Sequence, residues 1–210
     1  MTDTGTQPVA VGVLVSGNGT NLQSIIDRIE SGELLARVAC VISNKADAYA
    51  LERARRHSIP AIHLDHRQYQ NREAYDAALV ATLGTHGVEL VVLAGFMRIL
   101  TPVIIDAFPN RIMNIHPALL PAFPGLHAQQ QALDYGVKVS GCTVHFVDAG
   151  CDTGPIIIQA VVPVMEGDTE DSLSRRIHKE EHRIYPEAIQ LYAERRLTIE
   201  GRCVRIAPAG

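Results

Sequence analysis

The stretch VAVGVLVSGNGTNLQSIIDRIESG, residues 9–32, decides the fold class of this chain. It begins with a continuous apolar run that ends in glycine, which is typical of a parallel strand buried on both faces. The residues that follow repeat leucine and isoleucine at helical spacing, and Thr20 or Asn21 is the predicted N-cap of this helix. A buried strand that leads directly into an amphipathic helix predicts a parallel α/β sheet.

The same alternation of strand and helix continues through the first half of the chain. Apolar runs at 36–44, 61–64 and 88–96 predict three more strands, and the segments between them have the spacing of helices. This order predicts an α/β fold of Rossmann-like, doubly wound type, with an open and mostly parallel sheet.

The second half has a different pattern. A strand at 112–116 precedes a helix, and two further strands at 140–148 and 155–164 are joined by the short loop AGCDTG, which implies an antiparallel pair. A long helix then covers residues 169–196. We therefore expect the sheet to continue with an antiparallel strand pair and a long C-terminal helix.

Composition and charge exclude several classes of protein. The chain has 210 residues, 47% of them hydrophobic, which is ordinary for a soluble globular protein. A net charge of −4, without a run of Lys and Arg, argues against a nucleic-acid partner. Four cysteines without CxxC spacing and an N-terminus without a signal-peptide pattern predict a reduced, cytoplasmic protein. No apolar stretch reaches the roughly 20 residues of a membrane span.

The glycine loop, residues 17–21, joins the first predicted strand to the first helix. Unpaired N–H groups at a helix N-terminus attract anions, and glycine lets the backbone approach a phosphate closely. The loop is not a dinucleotide fingerprint, because Leu22 occupies the third glycine position, and it has no Gly-Lys-Ser/Thr of a P-loop. It predicts a small phosphomonoester bound by Gly19, Thr20 and Asn21; the alternative is an ordinary tight turn.

Asn114 and His116 interrupt the apolar strand IMNIH two positions apart, so their side chains project from the same face. They lie near the carboxyl end of this strand, where α/β sheets bind ligands. A buried polar side chain costs a few kcal/mol unless it is satisfied. An amide can donate to a developing oxyanion and an imidazole can transfer a proton near neutral pH, so the pair predicts catalysis. A hydrogen-bonded structural histidine is the alternative for His116.

Asp152, in the loop AGCDTG, is the best-placed carboxylate to orient the imidazole and tune its pKa, although aspartate is also common in turns. His145 could complete a metal site with His116 and Asp152. None of the three has local ligand spacing such as HExxH, so we expect no metal and a supporting role for His145.

Seven motifs carry a resemblance to a known family: SGNGTNLQ, ISNKADAYALERAR, NREAYD, LAGFMRILTP, MNIHPALLPAFPGLHAQQQAL, VHFVDAGCDTGPIIIQ and EEHRIYPEAI. With them the chain resembles the phosphoribosylglycinamide formyltransferase family from about Val9 to Leu197. NIHPxLLP and DxGP are shared by the wider formyltransferase superfamily, whereas SGNGTN and EEHRIYP narrow the resemblance to the glycinamide ribonucleotide branch.

The resemblance implies a function in de novo purine biosynthesis. The formyl group of 10-formyltetrahydrofolate, a co-substrate, is transferred without a metal to the amine of 5'-phosphoribosylglycinamide (GAR), which gives formyl-GAR. Asn114, His116 and Asp152 are then the catalytic residues. Asn114 stabilises the oxyanion and His116 is electrophile and proton donor, while Asp152 raises the pKa of His116 and assists proton transfer.

The resemblance also implies two sets of binding residues. Those for GAR are Gly19, Thr20, Asn21, His178 and Glu181. Those for the folate are Arg72, Met97, Arg98, Ile99, Leu100, Asn114, Val147, Asp148 and Asp152. The chain departs from the family at His178, where relatives have Lys or Gln, and at Thr20, where Ser is common.

Three other functions are weighed against this one. A formyltetrahydrofolate deformylase would use water instead of the amine, and typically has an extra N-terminal domain and lacks SGNGTN. A methionyl-tRNA formyltransferase would need a further C-terminal domain and a basic surface. A non-catalytic phosphometabolite sensor would need only the glycine loop. The expected partners are therefore the small molecules GAR and folate, with no nucleic acid and no membrane, and a homodimer is left open.

No linker is apparent, so we expect one formyltransferase domain over residues 9–197. Its phosphate-binding Rossmann-like half covers 9–110, and its catalytic and folate half covers 111–197. Residues 198–210 are expected to form a C-terminal hairpin or tail, and the first eight residues a disordered lead.

Overall fold

One nine-stranded sheet runs through residues 7–209, the part of the chain that the computed structural model describes. Its strands are β1 Val9–Val15, β2 Ala36–Ser43, β3 Ala61–His63, β4 Leu90–Leu93, β5 Ile112–His116, β6 Val139–Phe146, β7 Ile156–Pro163, β8 Leu197–Glu200 and β9 Cys203–Ile206. The helices are α1 Thr20–Glu30, α2 Tyr49–Arg56, α3 Arg72–Thr85, α4 Pro102–Ala107, α5 Ala128–Tyr135 and α6 Glu170–Ala193, with a 3₁₀ turn at His66–Gln68. Most of the expected disordered lead lies outside the described residues.

The first five strands are parallel, in the order β3-β2-β1-β4-β5. Alternate residues of β1 belong to the apolar cores on opposite sides of the sheet: Val11 and Val13 pack on one side, Ala10 and Leu14 on the other. All four are almost completely buried. The prediction of an open, mostly parallel sheet of Rossmann-like type is therefore confirmed.

The second half of the sheet is antiparallel. β6 pairs with both β5 and β7 in the antiparallel direction, so the predicted antiparallel pair is confirmed and extends to β5. The C-terminal hairpin of β8 and β9 continues the same sheet, where Cys203 pairs with Ile156 of β7. The β5–β6 register places His145 opposite Asn114 and Thr143 opposite His116.

The long helix α6 fixes the carboxyl ends of two central strands. It begins with a capping box at Thr169 and Ser172. Its fully buried Tyr185 has Oη 2.9 Å from the carbonyl oxygen of Leu93 and 3.0 Å from that of Met113. Because β4 ends at Leu93 and β5 continues to His116, this contact ties α6 to the edge where the polar strand residues lie. No helix within residues 7–209 is long and apolar enough to cross a membrane.

The start of α1 corrects one prediction. Thr20 is the first helical residue, and the N-cap is Gly19, at a φ of +78°, with no side-chain capping bond. A Cβ added to Gly19 would lie 2.6 Å from Cβ of Ala50 in α2. Only glycine allows so close an approach at positive φ. Gly19 therefore occupies the N-cap position, and the helix begins at Thr20. The side chains of Thr20 and Asn21 are therefore not used for capping.

Candidate functional site

A cavity of about 940 Å³ lies at the carboxyl ends of β4 and β5. The glycine loop and α6 line one end of it, and the loop after β4 and the β6–β7 loop line the other. Every predicted site residue except Arg72 lines this cavity. Ligands bind at this edge of open α/β sheets, because loops and helix N-termini converge there.

The imidazole of His116 is held from both sides. It is 4% exposed, and Nε2 lies 2.8 Å from the carbonyl oxygen of Phe123. A carbonyl oxygen can only accept a hydrogen bond, so Nε2 carries a proton. Nδ1 lies 3.3 Å from Oδ2 of Asp152. A second proton at Nδ1 would therefore face the carboxylate directly.

Asn114 contacts both His145 and Asp152. His145 Nδ1 lies 2.8 Å from the carbonyl oxygen of Phe146, so Nδ1 is the donor and Nε2 can accept. Asn114 Nδ2 donates to His145 Nε2 at 3.2 Å and to Asp152 Oδ1 at 3.4 Å. The longer bond is the weaker one. A ligand oxygen can therefore compete for this second hydrogen of the amide while His145 continues to orient the group.

The pKa values at this site differ in part from the prediction. Burial lowers the pKa of His116 below its usual value, although the carbonyl of Phe123 and the charge of Asp152 act in the opposite direction. Burial also raises the pKa of Asp152, but the nearby imidazole of His145, the bond from the N–H of Gly125 and the proximity of His116 outweigh it, and the pKa falls to about 2. The charge of Asp152 thus favours the imidazolium, whereas burial of the ring favours the neutral form and determines the direction of the shift.

The two loops that meet at Asp152 are fixed by short hydrogen bonds. The N–H of Gly125 donates to Asp152 Oδ2 at 2.8 Å. Asp148 Oδ1 accepts from the N–H of Gly150 at 3.1 Å and from the hydroxyl of Thr153 at 2.6 Å. Asp152 itself has a φ of +55°. Left-handed backbone is uncommon outside glycine and is concentrated at functional sites.

Sequence reasoning missed two polar residues that hold the proline loop, defined as residues 117–127: the buried Thr143 and the exposed Gln159. Thr143 donates to the carbonyl of Ala118 at 2.7 Å and accepts from the N–H of Leu120 at 3.1 Å. Gln159 donates to the carbonyl of Leu120 at 2.9 Å. Threonine and glutamine in apolar strands were the only sequence signal, and their partners are known only from the register of β5, β6 and β7.

At the opposite end, Glu181 is 4% exposed and accepts from Asn21 Nδ2 at 3.0 Å. His178 Nε2 lies 3.9 Å from the same carboxylate oxygen. Burial raises the pKa of Glu181, and the bond from Asn21 and the proximity of His178 oppose this shift. Asn21 Oδ1 is buried and has no hydrogen-bond partner within residues 7–209. This oxygen is therefore available to a donor from a ligand.

The folate residues implied by resemblance form the other rim. Met97 and Ile99 are both more than 60% exposed and line the cavity, and so does Leu126, which is not among the residues that the resemblance implies. Arg72, in contrast, does not line it; its Nη2 donates to the carbonyl of Ile99 at 3.0 Å and supports the rim from outside. Within the described part of the chain, no three His, Cys, Asp or Glu residues are arranged to hold a metal ion.

Comparison with known proteins shows which family this chain is similar to. Residues 9–189 match the formyl transferase family. The phosphoribosylglycinamide formyltransferase of Escherichia coli is 48% identical over 185 residues, which cover 88% of this chain and 87% of that protein. The crystal structure of glycinamide ribonucleotide transformylase 1 from Symbiobacterium toebii superposes with a TM-score of 0.96 at 62% identity, covering 97% of this chain and 96% of that one.

Longer relatives also match. The trifunctional purine biosynthetic protein adenosine-3 of Drosophila melanogaster is 50% identical over 183 residues. The match covers 86% of this chain but only 14% of that protein. A formyltetrahydrofolate deformylase from Pseudomonas syringae superposes with a TM-score of 0.89, but at 29% identity and over 67% of its chain. The chain therefore belongs to the formyl transferase family, in its phosphoribosylglycinamide formyltransferase branch.

Proposed function

We propose that this protein transfers the formyl group of 10-formyltetrahydrofolate to the amine of GAR, as a cytoplasmic enzyme of de novo purine biosynthesis. The observation that carries the proposal is that one cavity joins the glycine loop to the polar group of Asn114, His116 and Asp152. A hydrolase of the formyl cofactor would need only the second of these. A sensor would need only the first.

The end of the cavity lined by the glycine loop, His178 and Glu181, called the GAR end below, offers groups that match a phosphorylated ribose. The first N–H groups of α1 have no intrahelical partner, and the dipole of the helix favours an anion there. Glu181 and the unpaired Oδ1 of Asn21 can both accept from hydroxyl or amine groups beside the phosphate. The apolar rim of Met97, Ile99 and Leu126 suits a flat heterocycle such as that of a folate.

In the proposed reaction, the amine of GAR attacks the formyl carbon, and an oxyanion develops on the formyl oxygen. Asn114 donates to this oxygen with the amide hydrogen that otherwise points at Asp152. His116, protonated at Nδ1 when the negative charge develops nearby, supplies a second positive group and then a proton to the leaving nitrogen of the folate. Asp152 stays ionised and stabilises the imidazolium, and a water molecule beside it passes the amine proton to His116, which replaces the proton given to the folate nitrogen.

The test is an absorbance assay of deformylation of 10-formyltetrahydrofolate, or of its dideaza analogue, with and without GAR. We expect turnover only when GAR is present, with formyl-GAR as the product. Turnover without the amine would indicate a deformylase. Binding of GAR without any turnover would indicate a sensor, and either result would overturn the proposal.

The remaining partners follow from the same proposal. GAR and the folate are the only ligands that the proposed reaction requires, and neither a metal nor a nucleic acid takes part in it. A homodimer is compatible with it, because every residue assigned above lies on one chain. Analytical ultracentrifugation over a range of protein concentrations measures the oligomeric state.

A further inference from the structure

The guanidinium of Arg53 in α2 lies directly behind the glycine loop. Its Nε donates to the carbonyl oxygen of Asn18 at 2.9 Å, and its Nη2 donates to Oδ1 of the same residue at 2.7 Å. Its Nη1 donates to Oε1 of Gln23 in α1 at 3.1 Å. One planar side chain thus joins α2, the glycine loop and α1 with three hydrogen bonds, a geometry that the rigid fork of arginine provides.

The charge of Arg53 is not neutralised by a carboxylate. Within residues 7–209, no carboxylate oxygen lies within 4 Å of its nitrogens, and all three of its acceptors are neutral. Arg56, one turn later, shows the contrast, since its Nε contacts Glu52 at 3.0 Å. Both guanidinium groups also lie over the ring of Tyr49, at 4.9 and 5.5 Å from its centre.

Among the residues that the structure describes, 7–209, no lysine or arginine lines the glycine-loop end of the cavity. Among the lining residues, Arg98 is at the folate rim, and the GAR end contributes Glu181 and His178. A phosphate monoester carries up to two negative charges. The backbone N–H groups of the loop would have to bind this phosphate next to the carboxylate of Glu181. The residues that line this end supply no permanent positive charge to offset the repulsion.

From this arrangement we propose that Arg53 is a positioning residue for the phosphate of GAR. It fixes Asn18, and with it the direction of the loop N–H groups, and it supplies the positive charge one layer behind the loop. This inference rests on the proposed function, because it assigns the phosphate subsite of that same cavity. Ala50 supports the loop from the same helix, through its N–H bond to the carbonyl of Gly17 at 3.1 Å.

The hydrogen bonds of Arg53 to Asn18 are exposed, and exposed polar contacts contribute little to global stability. We therefore expect Arg53→Gln to fold normally and to lose affinity for the phosphate specifically. Equilibrium binding measured by calorimetry, without folate, tests this directly. The dissociation constant for GAR should rise about tenfold, because a misplaced loop and a lost charge both weaken the same contact.

The dephosphorylated ligand, glycinamide ribonucleoside, makes the test specific. Its dissociation constant should change less than about twofold in Arg53→Gln, since it offers no anion to the loop. The matched control is Arg56→Gln, which removes a neighbouring cation that touches no part of the loop, and both dissociation constants should then stay as in the wild type. Arg53→Lys keeps the charge but not the fork and should fall between the wild type and Arg53→Gln.

Ionic strength provides a further readout that a purely structural role would not change. The affinity of the wild type for GAR should fall more steeply with salt than that of Arg53→Gln. Unchanged GAR affinity in Arg53→Gln, or equal losses for GAR and the ribonucleoside, would overturn the inference. If the wild type binds GAR but does not formylate it, the proposed function fails while the role of Arg53 is still decided by the binding data.

Discussion

The cavity has two ends at the same edge of one sheet: the GAR end, where the glycine loop, His178 and Glu181 are proposed to bind GAR, and the transfer end, where Asn114, His116 and Asp152 are proposed to transfer the formyl group. The two ends present their polar groups in different ways. At the GAR end, backbone N–H groups of the glycine loop are fixed by close packing of Gly19 on Ala50. At the transfer end, titratable side chains are fixed by hydrogen bonds from loops, and Asp152 has left-handed backbone.

This difference separates binding from chemistry. Backbone groups cannot change protonation near pH 7, so the glycine loop can bind an anion but cannot itself transfer a proton. The pKa values of His116 and Asp152 are both lowered, so the carboxylate stays ionised and the resting imidazole favours its neutral form. Substitutions at the transfer end should therefore change kcat, and those at the GAR end should change KM for GAR.

The largest effect is expected for His116→Ala. Loss of the imidazole removes both a positive group near the oxyanion and the proton donor, so kcat should fall about 10³-fold or more with little change in KM for GAR. Steady-state kinetics with both substrates measures this. His63→Ala, on the exposed end of β3 and away from the cavity, is the control. An unchanged kcat in His116→Ala would contradict the proposed mechanism.

Asp152→Asn should lower kcat by about 10²-fold. Asparagine tolerates left-handed backbone and can still accept from the N–H of Gly125, so the loop should keep its shape. The charge of Asp152 raises the pKa of His116, and its removal lowers this pKa further. A reaction that needs the imidazolium should then lose activity at lower pH than in the wild type.

The pH profile of kcat between pH 5 and 9 decides this prediction. In Asp152→Asn, the decline of activity with rising pH should begin at a lower pH than in the wild type. A profile that keeps its shape and only loses amplitude would show that Asp152 acts on something other than the protonation of His116.

At the GAR end, Gly19→Ala should raise KM for GAR about tenfold and leave kcat nearly unchanged. The new Cβ would meet Ala50 at 2.6 Å, at a φ of +78°. Both the contact and the left-handed backbone are unfavourable, and we expect the free energy of unfolding to fall by about 2 kcal/mol. Gly17→Ala is the stability control, because a Cβ there has no atom within 4 Å. Equal losses of stability in the two variants would contradict this explanation.

The same contrast explains what the sequence could predict. Buried parallel strands such as β1 have continuous apolar runs, and Asn114 and His116 stand out because they interrupt one. Arg53 does not stand out, because its role depends on contacts to Asn18 across 35 positions of the chain. The direction of the pKa shift of His116 was also beyond the sequence, since it follows from how deeply the side chain is buried.

The smallest effect on activity is expected for Thr143→Val, which tests how the proline loop is held. Thr143 is completely buried, and valine has nearly the same shape but cannot bond to Ala118 and Leu120. Two backbone groups would lose their partner, and we expect the free energy of unfolding to fall by about 2 kcal/mol. The proline loop also bonds to His116 and Asp152, so kcat should fall as well, but by less than about tenfold.

Thr143→Ser is the matched control, because it keeps the hydroxyl and loses only a methyl group. It should retain kcat, whereas urea unfolding should show a smaller loss of stability than in Thr143→Val. If both variants lose kcat equally, the packing of the methyl group and not the hydroxyl holds the loop. If Thr143→Val loses stability but no kcat, the position of His116 depends on β5 and not on the hydrogen bonds that hold the proline loop.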